Sequence, residues 1–150
     1  MSEDRIERDI VVEAPVERVW TLLTTSEHIQ SWFAFDGAEI DLQPGGALVM
    51  RWEEHGVFHA IVERVEAPSV FAFRWALVPD VAPEAGNSTL VEFTLAGEGE
   101  ATRVRVVESG FSALDLTEAE RREHYTGNVD GWIGALGGLA DHVREVAAAP

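Results

Sequence analysis

Six strand-like segments follow one another between residues 38 and 109 with hairpin-length links and no helix between them: "AEIDLQPGG", "ALVMRWEE", "VFHAIVERVE", "SVFAFRWAL", "STLVEFTLAG" and "TRVRVVES". Parallel strands need a crossover of a dozen or more residues, usually a helix, so this order dictates an antiparallel sheet. Turn signals punctuate it: Pro44-Gly45-Gly46, Gly56, Ala67-Pro68, the loop "VPDVAPEAGN" and "GEGE". An antiparallel sheet of this size must bury one face against another layer.

The cover lies at the C-terminal end. "TEAE" at 117–120 is a capping box in which Thr117 and Glu120 satisfy each other's backbone amides. A helix from there to about Ala147 would be roughly 45 Å long. At about 100° per residue, Tyr125, Asn128, Trp132, Leu136, Leu139, Val143 and Val146 form one stripe, extended by Arg121. Its C-terminal half is apolar, and its N-terminal half mixes rings with polar groups. Before the sheet, Arg5 to Val12 alternates as a strand. "APVERVWTLL" then carries Val16, Val19, Trp20 and Leu23 at helical spacing behind Pro15. A second short helix starts at Thr25 or Ser26 and carries Ile29, Trp32 and Phe33. The class is α+β: a curved antiparallel sheet around a long C-terminal helix, with two short helices after the first strand.

Within the strands, Phe71, Phe73 and Trp75 share a face, as do Val91, Phe93 and Leu95, Val104 and Val106, and Leu48, Met50 and Trp52. In "VFHAIV" both alternations are plausible, so His59 has no assigned face. The aromatic sets either pack a core or line a cavity.

The C-terminal helix also carries five glycines between 127 and 138, although each costs a helix about 1 kcal/mol against alanine. Gly127, Gly131, Gly134 and Gly138 fall on the side opposite the apolar stripe. They are expected to leave the space between helix and sheet untouched. Either that face is open to solvent, or small residues there admit another backbone, from the N-terminal helices or from a second subunit in a homodimer.

The chain has 150 residues, a common size for one domain, and it is read as a single unit over 1–150. It has no cysteine, and its charged N-terminus is not a secretory signal. No stretch is long and apolar enough to insert in a membrane, and a cytoplasmic location is expected. A formal net charge of −16 repels phosphate backbones, so nucleic acid is excluded as a partner.

Catalytic constellations are sparse. His55 and His59 are at helical metal-ligand spacing, but on a strand they would stand about 13 Å apart, so no metal site is assigned. His28, His124 and His142 have no partner at ligand spacing. Glu53, Glu54 and Glu108 would be acid–base candidates if buried, but their positions suggest solvated strand ends. The chain has no nucleophile elbow, phosphate loop or dinucleotide fingerprint. No cofactor and no catalytic residue is assigned.

"PGGALVMRWEEHGVFHAIVERVEAPSVFAFRW", followed by "DGWIGALGGLADHV", resembles the bacterial homologues of the Hsp90 ATPase activator, in the START-like (SRPBCC) superfamily. The marks are Trp32 after the second helix, Pro44-Gly45-Gly46 before a strand, Pro68 with Phe71, Phe73 and Trp75, and Gly131-Trp132 with Leu136 and Leu139. The resemblance implies a helix-grip fold with a cavity between sheet and helix, entered near the helix's N-terminal half. The leading expectation is a binding module for a small hydrophobic or aromatic molecule. Trp52, Phe73, Trp75, Phe93 and Trp132 would hold its rings, and Arg121, Tyr125 and Asn128 its polar end. The alternatives are a cyclase- or hydrolase-type enzyme using the same cavity, and a regulator that binds a chaperone. The eukaryotic activators carry an additional N-terminal domain for which this chain has no room, which weighs against direct activation of Hsp90.

Overall fold

A computed structural model describes residues 4–148; the outermost residues of the expected unit, 1–3 and 149–150, lie outside the described residues. The elements follow the order β1 (Arg5–Val12), α1 (Val16–Thr24), α2 (Ser26–Trp32), β2 (Ala38–Ile40), β3 (Ala47–Trp52), β4 (Gly56–Glu66), β5 (Val70–Ala76), β6 (Ser88–Glu98), β7 (Ala101–Ser109), a single 3-10 turn (Phe111–Ala113) and α3 (Glu118–Ala148). The sheet is antiparallel throughout, in the order β1-β7-β6-β5-β4-β3-β2. It is therefore a meander with β1 added beside the last strand, and it curves around the long helix in the helix-grip arrangement.

Local chemistry sets the turns and caps. Gly45 has φ +87°, and a Cβ on Gly46 would run into the Asp41 carbonyl, so both glycines of the Pro-Gly-Gly turn are required. The capping box forms: the Thr117 amide donates to Glu120 Oε1 at 2.9 Å, and the Glu120 amide to Thr117 Oγ1 at 3.1 Å.

The buried face follows the strand alternation, with Leu48, Met50, Phe71, Phe73, Val91, Phe93, Leu95, Val104 and Val106 all in the core. The alternation in β4 was ambiguous because Val57 and Ile61 are apolar on one face and Phe58, Ala60 and Val62 on the other; a bulge between Val62 and Arg64 then shifts the register. Ala60 and Val62 face inward before it, Val65 packs on the core after it, and Ile61 is exposed. His59 falls on the outer face with Ile61. On α3, Trp132, Leu136, Leu139 and Val143 are buried, while Tyr125 and Val146 pack at the core's edge.

The glycine stripe divides between the two expectations stated for it, and the expectation that it leaves the space between helix and sheet untouched fails. Gly138 lies under the end of α2, where an added Cβ would stand 2.9 Å from the Trp32 carbonyl oxygen. The approaching backbone belongs to the same chain. Gly127, Gly131 and Gly134 border open space, with no atom within 4 Å of an added Cβ. All three are exposed, and they line an open cleft. The helical wheel missed this because α3 has two working faces. One rests on the sheet, and its flank is overhung by α2 and the chain that leaves it.

α2 and α3 also meet through two imidazoles. His28 Nδ1 and His142 Nε2 are 2.9 Å apart, so one must donate and the other accept. His142 Nδ1 is buried without a hydrogen bond, since the Glu145 carboxylate at 3.9 Å is out of range. Burial and the neighbouring His28 ring hold the His142 pKa below 6.5, against the smaller pull of Glu145.

Two expectations follow. Gly138→Ala should destabilise the fold by roughly 1–3 kcal/mol through the clash with Trp32, whereas Gly134→Ala should stabilise it by about 0.5–1 kcal/mol; chemical denaturation distinguishes them, and equal effects would contradict the packing. The depressed His142 pKa means that the unfolded chain takes up the proton first as pH falls. Its contribution is complete above pH 6.5 and declines below it. Denaturation at pH 7.5 and 5.5 should show a drop that His142→Gln reduces.

Candidate functional site

Strand register brings three polar groups to one end of the buried face. Trp75 on β5 sits opposite Thr89 on β6, and Glu108 on β7 sits opposite Val91. α3 lays Asn128 and Trp132, one helical turn apart, over the same spot. Glu108 is 0% exposed. Trp132 Nε1 donates to its Oε1 at 2.8 Å, and Trp75 Nε1 to its Oε2 at 2.9 Å. Asn128 Nδ2 lies 3.0 Å from each oxygen. The Thr89 hydroxyl donates to Oε2 and accepts from Trp75 Nε1. Indole N–H groups can only donate, so both carboxylate oxygens serve as acceptors.

The expectation that Glu108 is a solvated strand end is therefore incorrect. β7 does not stop at the surface there. The 3-10 turn and α3 continue over it, and Phe111 just beyond is buried. Glu53 and Glu54 are exposed. Glu108 is the one buried carboxylate among the described residues, and all its neighbours are donors.

Beside this cluster lies a cavity of about 600 Å³ between the sheet and α3. Its wall carries the rings of Trp32, Phe33, Phe35, Trp52, Phe58 and Trp75, and its helix side is Gly127, Asn128, Gly131, Gly134 and Ala135. His55 and His124 complete the polar lining. The wall rings pack on one another: Phe33 meets Trp52 edge-on at 5.1 Å and stacks on Trp32 at 5.2 Å. Phe33 also stacks on Trp132 at 5.4 Å, and Trp132 on Trp75 at 5.7 Å. The wall indole N–H groups are engaged internally. Trp32 donates to the Leu22 carbonyl and Trp52 to the Phe33 carbonyl, both at 2.8 Å.

Of the residues singled out from sequence, Trp52, Trp75 and Asn128 meet at this cavity. Phe73, Phe93 and Trp132 do not line it. They are 2% exposed and back the wall from within the core. Arg121 and Tyr125 also lie off it. Arg121 folds back to the Leu116 carbonyl. Tyr125 packs edge-on against Phe111 and donates to the Arg5 carbonyl at 3.1 Å. Beneath Tyr125, β1 and the 3-10 turn occupy the space that a ligand would need. Phe33, Phe35 and Phe58 were missed as cavity residues. The run "WFAF" at the exit of α2 was the available signal for two of them.

The carboxylate cluster generates a prediction. In Glu108→Gln one of the two oxygens becomes an NH₂ group, which cannot accept from the indole that faces it. The variant should lose about 1–3 kcal/mol of stability. An unchanged denaturation midpoint would show that the cluster does not tie the helix to the sheet.

The model of the family "Activator of Hsp90 ATPase homolog 1-like protein" matches residues 13–144. No curated protein matches the chain in sequence. Among solved structures, MLL2253 from Mesorhizobium loti is 20% identical with a TM-score of 0.79, over 97% of this chain and 99% of that one. The Aha1 dimer from Colwellia psychrerythraea is 20% identical with a TM-score of 0.71, over 93% and 95%. DynU16, a protein of the dynemicin biosynthetic locus, is 25% identical with a TM-score of 0.75 over 94% of this chain. This chain spans about half of DynU16, 47% of its length. Among the described residues, no helix is long and apolar enough to cross a membrane. With the family model covering most of its length, the chain belongs to the Activator of Hsp90 ATPase homolog 1-like proteins of the START-like (SRPBCC) superfamily.

Proposed function

We propose that the protein binds a small, largely aromatic or apolar molecule in the cleft between the sheet and α3. The observation that carries this reading is the 600 Å³ cavity, walled by six aromatic side chains and faced by three glycines. Small-molecule sites typically fall between roughly 300 and 1,000 Å³ and combine apolar walls with a few fixed polar groups. Trp52, Trp75, Phe33 and Phe58 supply the apolar contact, and Asn128 the polar one. Phe73, Phe93 and Trp132 hold the wall in place. Glu108 lies outside the lining with both oxygens engaged, so its role is to fix Trp75, Asn128 and Trp132 rather than to exchange protons with a ligand. The likeness to a protein of a biosynthetic locus accords with a small-molecule partner.

The glycines offer a test that leaves the core intact. No atom lies within 4 Å of a Cβ at Gly131, so a longer side chain there projects into the cleft. Leucine is also the better helix former. Gly131→Leu should keep or raise the melting temperature and weaken binding of an aromatic probe at least tenfold, read from quenching of tryptophan fluorescence. Binding that survives this substitution unchanged would place the ligand elsewhere.

A further inference from the structure

The cavity's polar chemistry is one-sided. A wall with three indoles would ordinarily offer three N–H donors, yet Trp32, Trp52 and Trp75 all spend theirs inside the protein, on the Leu22 carbonyl, the Phe33 carbonyl and the Thr89–Glu108 pair. What these rings present to the cleft is π surface. The backbone groups of α3 are committed to the helix. This leaves Asn128 as the polar group built into the wall beside the buried cluster.

Asn128 carries a donor and an acceptor, and its surroundings decide which one remains available. Its NH₂ group lies 3.0 Å from both oxygens of Glu108. The reverse orientation would set the amide oxygen against a carboxylate that already accepts from two indoles and a threonine hydroxyl. Glu108 therefore locks the amide. Among the described residues, Oδ1 of Asn128 has no hydrogen-bond donor, and the side chain lines the cleft. With its NH₂ group held on Glu108, the polar atom that Asn128 keeps available is an acceptor.

We propose that the cavity selects aromatic molecules bearing a hydrogen-bond donor, a phenolic hydroxyl or a ring N–H, which is placed on Asn128 Oδ1, and that Asn128 is the specificity-determining residue with Glu108 as its positioning residue. This rests on the binding reading above and sharpens it. A ligand whose polar end only accepts, such as a methyl ether, leaves Oδ1 unpaired against an aromatic wall. An anionic end sets its own lone pairs against those of Oδ1. His55 and His124 add nitrogens that can donate or accept, so they do not impose this preference.

Three probes of one shape separate the outcomes: 2-naphthol, 2-methoxynaphthalene and 2-naphthoate. They are titrated into the full chain at pH 7.5 and followed by calorimetry and ligand-observed NMR. The expected order is naphthol tightest, the methyl ether about tenfold weaker, and the carboxylate weakest. Asn128→Leu, which leaves Glu108 with Thr89 and both indoles, should bring naphthol down to the level of the ether while the ether keeps or gains affinity. The wild-type comparison needs no variant to fold. Equal binding of naphthol and its ether, or tightest binding of naphthoate, overturns the proposal and leaves the cavity reading standing. Absence of binding by all three overturns both.

Discussion

One carboxylate holds the architecture in register. Glu108 stands at the end of the last strand and receives donors from β5, β6 and two positions of α3. An ionisable group with no solvent contact is stable only when its oxygens are paired. Each partner also depends on Glu108: without it the Trp132 N–H would be orphaned in the core and the Trp75 N–H would keep only the Thr89 hydroxyl. The mutual requirement fixes the axial position of α3 over the sheet more sharply than apolar packing could, because methyl groups and rings slide and hydrogen bonds do not. The positions of Trp132 against Phe33 and Trp75, and hence the shape of the aromatic wall, follow from that anchor.

The cleft beside it exists because α3 serves two neighbours. Its apolar face rests on the sheet, while its flank meets α2 at Gly138 and stands off from the Phe33–Phe35 segment further toward its N-terminus. Where the backbones touch, glycine permits contact. Where they diverge, glycine keeps the gap empty. The same residue type thus performs opposite tasks along one stripe, and the divergence of the two helices decides which.

Much of the fold was legible in the sequence, because hairpin-length links and period-two alternation are local properties. The antiparallel run of strands, the capping box at Thr117 and the inward stripe of α3 all come from spacing alone. The cavity was less legible. Trp52, Trp75 and Asn128 could be named because they lie on faces that point toward the sheet–helix gap. Tyr125 shares such a face, yet β1 and the 3-10 turn fill the gap beneath it, and no single-element pattern reports what a distant segment covers. Glu108 looked like a strand end because burial at a chain reversal depends on where the chain goes next. The glycines looked outward because a helical wheel knows one partner, and α3 has two.

The separation of faces on α3 has an evolutionary corollary. A Cβ added at Gly127, Gly131 or Gly134 meets nothing within 4 Å, so their replacement changes the depth and outline of the cleft without disturbing Leu136, Leu139 or Val143, on which folding relies. A codon for glycine is one base change from alanine or valine, so new pocket shapes are a single mutational step away. Most such steps would also raise helix propensity. In this helix, a change in the outline of the cleft need not pass through an unstable intermediate, the obstacle that usually slows the reshaping of cavities carved from a core.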